Sequence, residues 1–338
     1  MQAFEEKAVF ETTARVYQRT LLRFQGVEGL DVYNCSVPFS WAGKTYLYGR
    51  VEERSAWAQS WIGLFQQVGP DIYALMRAPW GYQLEDPYVS MIHGELVLGG
   101  THVRKRQGHI DTYYCYFYRG TTPENLQYFT TGPEGMKDIR LVELADGRVG
   151  VFSRPRGEHV RRLYGSSAMI GFTVIDSLDD LNAEVIAGAI PIQGLFAADE
   201  WGGCNQAYLL DDGRIGVLGH QSFSMHASKE NGPVDPAQPF GDESLAVYMN
   251  VAFEFDPLSF EVNNKQIVGT RSCYPAYPCK RPSLRDCAFT SGITLRADGR
   301  VDLYSGIGDT TEGRIVVDYP FSRPLRNRDG VTCEHGND

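Results

Sequence analysis

The chain has 338 residues, of which 43% are hydrophobic and 22% charged; this is long enough for a large core and excludes wholesale disorder. With 32 Lys and Arg against 42 Asp and Glu, its formal net charge is −10. That balance argues against a nucleic-acid or anionic-membrane partner held by bulk electrostatics, but it leaves room for a small anion bound by a few local arginines.

The first 30 residues predict an extension ahead of the main domain. Charged side chains such as Glu5, Lys7 and Glu11 interrupt its apolar residues, so no secretory leader is expected. Residues 5–24 carry apolar side chains at spacings that suit one amphipathic helix or an irregular cap. The longest weakly polar stretch, residues 185–198, is too short for the roughly 20 residues of a membrane-spanning helix, so we expect no membrane partner.

Five short segments rich in branched and aromatic residues predict the second strands of hairpins. They cover residues 45–48, 95–98, 148–152, 214–218 and 300–304 and follow the turn glycines Gly43, Gly94, Gly147, Gly213 and Gly299. The last three glycines stand in identical Asp-Gly-Arg triplets, and Asp-Gly is a strong hairpin signal. Apolar runs at 88–92, 139–144, 206–210 and 293–295 predict the preceding strands.

One strand–turn–strand unit therefore recurs five times, with turn glycines 51 to 86 residues apart. Short antiparallel repeats of this kind are typical of β-propeller blades, with longer steps reflecting insertions. A sandwich or barrel with five hairpins is the alternative. The prediction is an all-β, five-bladed β-propeller over residues 31–321, preceded by the short helical or irregular extension.

Little else in the chain predicts regular structure. Residues 177–186 have helical spacing for a turn or two, and residues 229–241 suggest a surface loop. Residues 322–338 form a polar tail that we expect to be disordered.

The seven cysteines are odd in number and form no C-x-x-C pair, so we expect reduced thiols in a cytoplasmic protein. The seven histidines offer no i, i+4 metal pair, and no metal or cofactor is expected.

Polar residues at one register of the repeats are candidates for a shared cavity. Seven residues after the successive turn glycines stand Arg50, Thr101, Arg154, His220 and Gly306. Arginine forks match the geometry of phosphate and carboxylate, so this register predicts an anion site. The alternative is that Arg50 and Arg154 are ordinary surface ion-pair residues.

A second set of polar residues precedes the first strand of each repeat. Asp86 stands before a proline, which favours an extended or turn geometry, and a carboxylate held there in a partly buried site would serve as a general acid. Ordinary turn chemistry is the alternative for Asp86. Further polar residues at strand entrances are Glu85, Lys137, Asp138, Arg140 and Asn205.

These motifs resemble the β-mannoside phosphorylases of glycoside hydrolase family 130, and more closely a sister family of β-1,2-mannosyltransferase/phosphorylases long described as a domain of unknown function. The resemblance runs from about residue 31 to residue 321. It is carried by the runs DVYN (31–34), GRVE (49–52), EDP (85–87), GMKDIRL (135–141), EWGGCN (200–205), LGH (218–220) and LYSGIGDT (303–310).

The resemblance implies a five-bladed propeller with an axial sugar pocket and an inverting reaction at a β-mannosidic bond. It implies Asp86 as the catalytic acid, passing its proton through a sugar hydroxyl. By the same likeness Arg154 and His220 match phosphate-binding positions, and Asp309 matches a sugar-binding one.

The residue chemistry agrees with a phosphorylase. An inverting hydrolase needs a second carboxylate to activate water, whereas phosphate brings its own nucleophilic oxygen and needs cations to bind it. Such cations are supplied by Arg50, Lys137, Arg140, Arg154 and His220.

We therefore expect an enzyme that makes or phosphorolyses β-1,2-mannosides, with inorganic phosphate, mannose 1-phosphate or nucleotide-activated mannose as substrate and with no further cofactor. Two alternatives stay open. One is an inverting glycosidase that uses Asp86 with Glu143 or Asp138; the other is a sugar-binding propeller without catalysis. The sequence does not predict the oligomeric state.

Overall fold

Antiparallel strands dominate the computed structural model, which describes residues 2–56, 58–76, 81–107, 109–226, 244–326 and 332–333. Three α-helices are present in these residues: α1 (Gln2–Thr13), α2 (Glu158–Tyr164) and α3 (Ala183–Ala187). Short 3₁₀ helices cover Leu178–Asp180, Arg271–Cys273 and Pro282–Leu284. The predicted helical turns at 177–186 are thereby confirmed. None of the described helices is long and apolar enough to cross a membrane.

The described strands, in chain order, are β1 (Gln18–Leu21), β2 (Arg23–Gln25), β3 (Asp31–Tyr33), β4 (Phe39–Trp41), β5 (Lys44–Glu52), β6 (Trp61–Gly69), β7 (Ile72–Leu75), β8 (Glu85–Ile92), β9 (Glu95–Arg106), β10 (His109–Gly120), β11 (Gln127–Thr131), β12 (Arg140–Glu143), β13 (Val149–Ser153), β14 (Gly171–Ile175), β15 (Ile190–Pro191), β16 (Glu200–Leu209), β17 (Ile215–His226), β18 (Ser244–Phe255), β19 (Val262–Gly269), β20 (Asp286–Leu295), β21 (Val301–Ile307), β22 (Thr311–Val317) and β23 (Thr332–Cys333).

All five predicted hairpins are present. They join β4 to β5, β8 to β9, β12 to β13, β16 to β17 and β20 to β21. The five turn glycines have φ between 72° and 88°, a left-handed conformation that glycine adopts without steric cost. Local turn chemistry therefore placed these hairpins correctly.

The strands fall into consecutive antiparallel groups along the chain. They are β3–β7, β8–β11, β12–β15, β16–β19 and β20–β22. The fourth and fifth groups join into one eight-stranded sheet through a short parallel pairing of Val247 with Asp286 and of Tyr248 with Cys287. The protein is thus mostly β, as the sequence predicts.

Neighbouring groups contact one another in a closed ring. Strand β8 contacts β5 and β12, strand β16 contacts β12 and β20, and β3 contacts β21 and β22. Apolar clusters fill the junctions; for example, Phe117 and Val151 share one cluster, and Phe152 and Phe253 share the next. The apolar core is therefore divided among the spaces between groups, which leaves the middle of the ring to other side chains.

The chain start forms a helix shorter than the one considered for residues 5–24, for which an irregular cap was the alternative. Helix α1 ends at Thr13, and strand β1 then pairs antiparallel with β22, with Gln18 opposite Val316. Strand β2 pairs in parallel with β7. Edge strands offer unpaired backbone groups, so pairing with two separate sheets outweighs the local helical preference of this segment. The predicted extension thus contributes strands to the first and fifth groups.

The predicted surface loop at 229–241 lies outside the described residues, as do residues 327–331 and 334–338 of the predicted tail. The described parts of that tail make contacts. Leu325 is buried and forms a bridge with Leu210, while Thr332 and Cys333 pair with β4.

Glu312 on β22 lies buried at the junction of the first and fifth groups. Its Oε2 accepts the backbone N–H of Cys35 at 3.1 Å and its Oε1 accepts the Ser291 hydroxyl at 2.7 Å. Burial raises the pKa of Glu312 to about 8, because the site favours the uncharged acid.

We expect this carboxyl to make stability fall as pH rises. Between the unfolded pKa near 4.5 and the folded pKa near 8, the unfolded chain releases a proton that the folded chain retains. The free energy of unfolding should therefore decrease across this window by on the order of 3–5 kcal/mol. Glu312→Gln, which stays neutral, should lose this slope in denaturant melts run from pH 5 to pH 9. Exposed Glu261→Gln is the control. If the free energy of unfolding changed with pH in the same way for wild type and Glu312→Gln, the Glu312 carboxyl would not be the cause of the pH dependence.

Candidate active site

A cavity of about 880 Å³ lies where all the strand groups meet. Of the ten predicted site residues, those that line it are Arg50, Glu85, Asp86, Lys137, Arg154, His220 and Asp309. Residues separated by more than 250 positions in the sequence thus face one space. The polar residues that the sequence analysis proposed for a shared cavity therefore do lie in one.

The shared register of the second strands explains part of this convergence. Arg50, Thr101, Arg154 and His220, each seven residues after a turn glycine, all line the cavity. The fifth member, Gly306, lies against Asn34: an added Cβ would come within 1.8 Å of Asn34 Oδ1. Equivalent strand positions in a ring of similar sheets face the same centre, and this is why the register was informative.

Asp86 is 5% exposed and has a left-handed backbone, with φ of 49° just before Pro87. A bulge between Glu85 and Tyr88 accompanies this conformation. The Oδ1 atom of Asp86 accepts hydrogen bonds from Asn34 Nδ2 at 2.9 Å and from an Arg50 guanidinium nitrogen at 3.0 Å. Its Oδ2 has no hydrogen bond to a described residue. A strained, oriented carboxylate with one oxygen left for a ligand suits proton transfer.

Arg50 neutralises the carboxylates around Asp86. It lies 3.0 Å from Glu85 Oε1 and 3.5 Å from Glu52 Oε2, and its guanidinium stacks 4.7 Å from the Tyr33 ring. Burial raises the pKa of Glu85, and the Asp86 charge adds to this effect against the pull of Arg50. Arg50 is therefore occupied by protein carboxylates on the Asp86 side of the cavity.

Three other residues of the cavity lining are Arg154, His220 and Lys137, and we call them the anion cradle. Arg154 is fixed from behind: Nε donates to the Gly202 carbonyl at 2.8 Å and one terminal nitrogen donates to Asp138 Oδ2 at 2.6 Å. Its other terminal nitrogen has no hydrogen bond to a described residue. A pinned guanidinium with a free donor is preorganised for a phosphate oxygen.

His220 is completely buried, and its Nε2 has no hydrogen-bond partner among the described residues. Burial, reinforced by Arg154, lowers its pKa well below the usual value, so the ring is neutral. Its Nδ1 lies 2.7 Å from Asn205 Oδ1, an oxygen that only accepts, so the proton is on Nδ1. Nε2 is then a hydrogen-bond acceptor for a protonated phosphate oxygen or a sugar hydroxyl.

Lys137 and Asp309 contribute opposite charges. Burial acts against the Lys137 charge, but Asp138 and Asp86 outweigh it and raise the lysine pKa, so Lys137 stays cationic. Burial raises the pKa of Asp309, which sits at φ 57° in the turn between β21 and β22.

The other predicted site residues, Asp138, Arg140 and Asn205, lie behind the lining rather than in it. Burial opposes the Asp138 charge, but Arg154, with Lys137 and Arg140, holds the pKa of this carboxyl well below its usual range. Arg140 Nε donates to the Asn205 carbonyl at 2.7 Å. These three residues orient Arg154 and His220 instead of contacting a ligand.

Several lining residues were not predicted as site residues. Asn34 orients Asp86, and Lys280, whose Nζ donates to Glu52, comes from a connecting segment outside the repeat register. Aromatic rings of Tyr248 and Phe289 lie 5.8 Å and 4.8 Å from the His220 ring. Asn34 stands in one of the motifs quoted above; no pattern in the sequence marks Lys280.

The chain matches the family model "Protein of unknown function (DUF1861)" over residues 8–323. No curated protein matches it. Among solved structures, a mannose phosphorylase of Leishmania mexicana, MPT-4, in complex with a phosphate ion, is 50% identical, with 95% of this chain and 94% of that chain covered and a TM-score of 0.85. MPT-1, a GDP-Man-dependent mannosyltransferase of the same organism, is 42% identical, with coverage of 98% and 99% and a TM-score of 0.86.

A β-1,2-mannobiose phosphorylase from Listeria innocua shares the fold. It is 14% identical, with 86% of this chain and 91% of that chain covered and a TM-score of 0.59.

Proposed function

The chain belongs to the DUF1861 family and is a mannose-transferring enzyme, and from this premise we propose that it cleaves and forms β-1,2-mannosides with inversion, using Asp86 as the general acid or base. We also propose that the ring of strand groups is a five-bladed propeller and that the protein is cytoplasmic. The observation that carries the proposal is that Asp86 and the anion cradle line the same cavity.

In phosphorolysis, Arg154, Lys137 and His220 hold the phosphate, and one of its unprotonated oxygens attacks the anomeric carbon of the mannosyl unit. The bond to the glycosidic oxygen breaks, and that oxygen receives the Asp86 proton through a sugar hydroxyl. The products are mannose 1-phosphate and the shortened acceptor. In synthesis the acceptor hydroxyl attacks the anomeric carbon, Asp86 receives its proton, and the phosphate or nucleotide departs.

The placement of hydrogen bonds suits this role for Asp86. Two donors, from Asn34 and Arg50, occupy Oδ1, so Oδ2 is the oxygen that handles the proton. Arg154 and Lys137 of the anion cradle supply positive charge next to the phosphate, where negative charge shifts during the reaction. Such electrostatic stabilisation of the transition state is the largest contribution to catalysis in many enzymes. No other cofactor is needed for either direction.

The glycosidase alternative lacks a well-placed base among the residues first considered for it. Glu143 does not line the cavity, and its Oε2 accepts the backbone N–H of His93 at 2.6 Å. Asp138 is held by Arg154. The cations Lys137 and Arg154, which line the same cavity as Asp86, favour phosphate over water as the nucleophile.

Incubation of the protein with β-1,2-mannobiose, with and without inorganic phosphate, tests the proposal. We expect mannose 1-phosphate to form only when phosphate is present, with one equivalent of mannose released. Free mannose produced at the same rate without phosphate would establish hydrolysis instead. If nucleotide-activated mannose alone is turned over, the enzyme is a transferase.

A further inference from the structure

Lys280 lines the cavity, yet the reaction above gives it no role. It lies in the segment that connects β19 to β20, and its backbone N–H donates to the Gly308 carbonyl of the fifth group at 2.8 Å. Its side chain is 3% exposed and reaches the first group, where Nζ forms an ion pair with Glu52 on β5. Nζ also lies 3.4 Å from the Tyr33 hydroxyl and 5.4 Å from the centre of the Tyr33 ring. Lys280 therefore joins the fifth group to the first at the edge of the cavity.

Glu52, the partner of Lys280, is a completely buried carboxylate. Its Oε1 accepts the backbone N–H of Gln59 at 2.9 Å, and its Oε2 accepts the Tyr33 hydroxyl at 2.5 Å as well as the lysine. Burial opposes the Glu52 charge, but the Arg50 charge and the hydrogen bonds to Oε2 outweigh it and lower the pKa of this carboxyl to about 2. Glu52 is therefore a fixed negative charge at neutral pH.

Arg50 is shared among three carboxylates. One terminal nitrogen donates to Asp86 Oδ1 at 3.0 Å, whereas the other donates to Glu85 Oε1 at 3.0 Å and lies 3.5 Å from Glu52 Oε2. Glu52 Oε2 is also the oxygen that Lys280 binds. Because Lys280 is the closer cation to Glu52, the Arg50 guanidinium stays with the other two carboxylates.

Without the Lys280 charge, Glu52 would lose its nearest cation and keep its own charge. A buried carboxylate that has lost its partner is strongly unfavourable, and Arg50 is the next cation, 3.5 Å away. The guanidinium would move towards Glu52, and Asp86 would lose one of the two donors that orient its Oδ1.

We propose that Lys280 is a positioning residue for the Asp86 carboxylate. By binding Glu52, it keeps the Arg50 guanidinium hydrogen-bonded to the general acid. The effect passes through two other side chains and needs no contact between Lys280 and the substrate. This inference rests on the proposed function for the role of Asp86.

Crystal structures of wild type and of Lys280→Met test this inference without turnover. Methionine is similar in length to lysine and has no charge. In the variant, an Arg50 nitrogen should lie about 2.8 Å from Glu52 and should no longer donate to Asp86. In the double variant Lys280→Met, Glu52→Gln, which removes both charges, Arg50 should lie as in wild type. An Arg50 that stays on Asp86 in Lys280→Met would overturn the proposal.

Kinetics provide the second measurement. Lys280→Met should lower kcat for β-1,2-mannobiose phosphorolysis by about 10–100-fold, the size of effect that a small displacement of a catalytic group produces. The KM for phosphate should change little, because groups outside this network hold Arg154 of the anion cradle. The double variant with Glu52→Gln should recover most of kcat. Lys44→Met, at an exposed position of β5, is the control and should behave as wild type.

A raised KM for mannobiose with unchanged kcat would place Lys280 in direct contact with the sugar and overturn the proposal. A double variant as slow as Lys280→Met would overturn it as well. Thermal melting of both variants separates misfolding from a displaced Arg50. If wild type shows no phosphate-dependent turnover but Arg50 moves to Glu52 in the Lys280→Met crystals, the proposed reaction fails and the positioning role of Lys280 stands.

Discussion

Asp86→Asn should lower the rate of β-1,2-mannobiose phosphorolysis by about 10²–10⁴-fold, the usual contribution of a general acid. The amide has the same shape, and its oxygen accepts the same bonds from Asn34 and Arg50. Asn also tolerates the left-handed backbone at this position. Folding and phosphate affinity should therefore change little, and the loss should appear in kcat.

Comparing substrates with different leaving groups tests the role of Asp86 in proton transfer more directly. An aryl mannoside with an activated leaving group needs little protonation, so Asp86→Asn should slow its cleavage much less than that of mannobiose. Asp179→Asn, on the surface with a side chain 76% exposed, is the matched control. Equal losses on both substrates would mean that Asp86 only shapes the cavity.

Arg154→Gln should lower both the affinity for phosphate and the free energy of unfolding. Removing the guanidinium should weaken phosphate binding by about 2–5 kcal/mol, seen as a rise in the KM for phosphate. It also leaves the fully buried Asp138 without the partner 2.6 Å away, which should lower the free energy of unfolding by about 3–5 kcal/mol.

The double variant Arg154→Gln, Asp138→Asn separates the two effects. It removes both charges, so stability should recover in denaturant melts while phosphate affinity stays low. Arg161→Gln, on the partly exposed face of α2, is the control for loss of an arginine. If the double variant regained phosphate affinity, Arg154 would act only by neutralising Asp138, and the anion cradle would be assigned incorrectly.

Much of the fold could be predicted from the sequence because its signals are local. Asp-Gly turns and alternating apolar residues define hairpins within ten or so residues, and all the predicted hairpins form. The chain start could not be predicted in this way, since β1 pairs with β22 almost 300 residues later. Only the assembled ring provides the edge that this segment joins.

The residues of the site could likewise be predicted from the sequence only in part. The repeat register was enough to bring Arg50, Arg154 and His220 to one cavity, because equivalent strand positions repeat around the ring. It could not separate Lys137, which lines the cavity, from the adjacent Asp138, which lies behind it. Both residues precede β12, which begins at Arg140, and Asp138 has a left-handed backbone with φ of 58°, so strand alternation does not assign the sides on which these two side chains lie.

By itself, then, the sequence determined the hairpins, the repeat and the residue types available for catalysis, since each depends on neighbours in the chain. The tertiary structure decided which polar groups are compensated and which are left for a ligand. Lys280 binds Glu52, whereas the Arg156 guanidinium lies against the Tyr113 ring and forms no hydrogen bond or ion pair with a described residue; both facts depend on segments far apart in the chain. Charge compensation is a property of three-dimensional distance, and no sequence spacing encodes it.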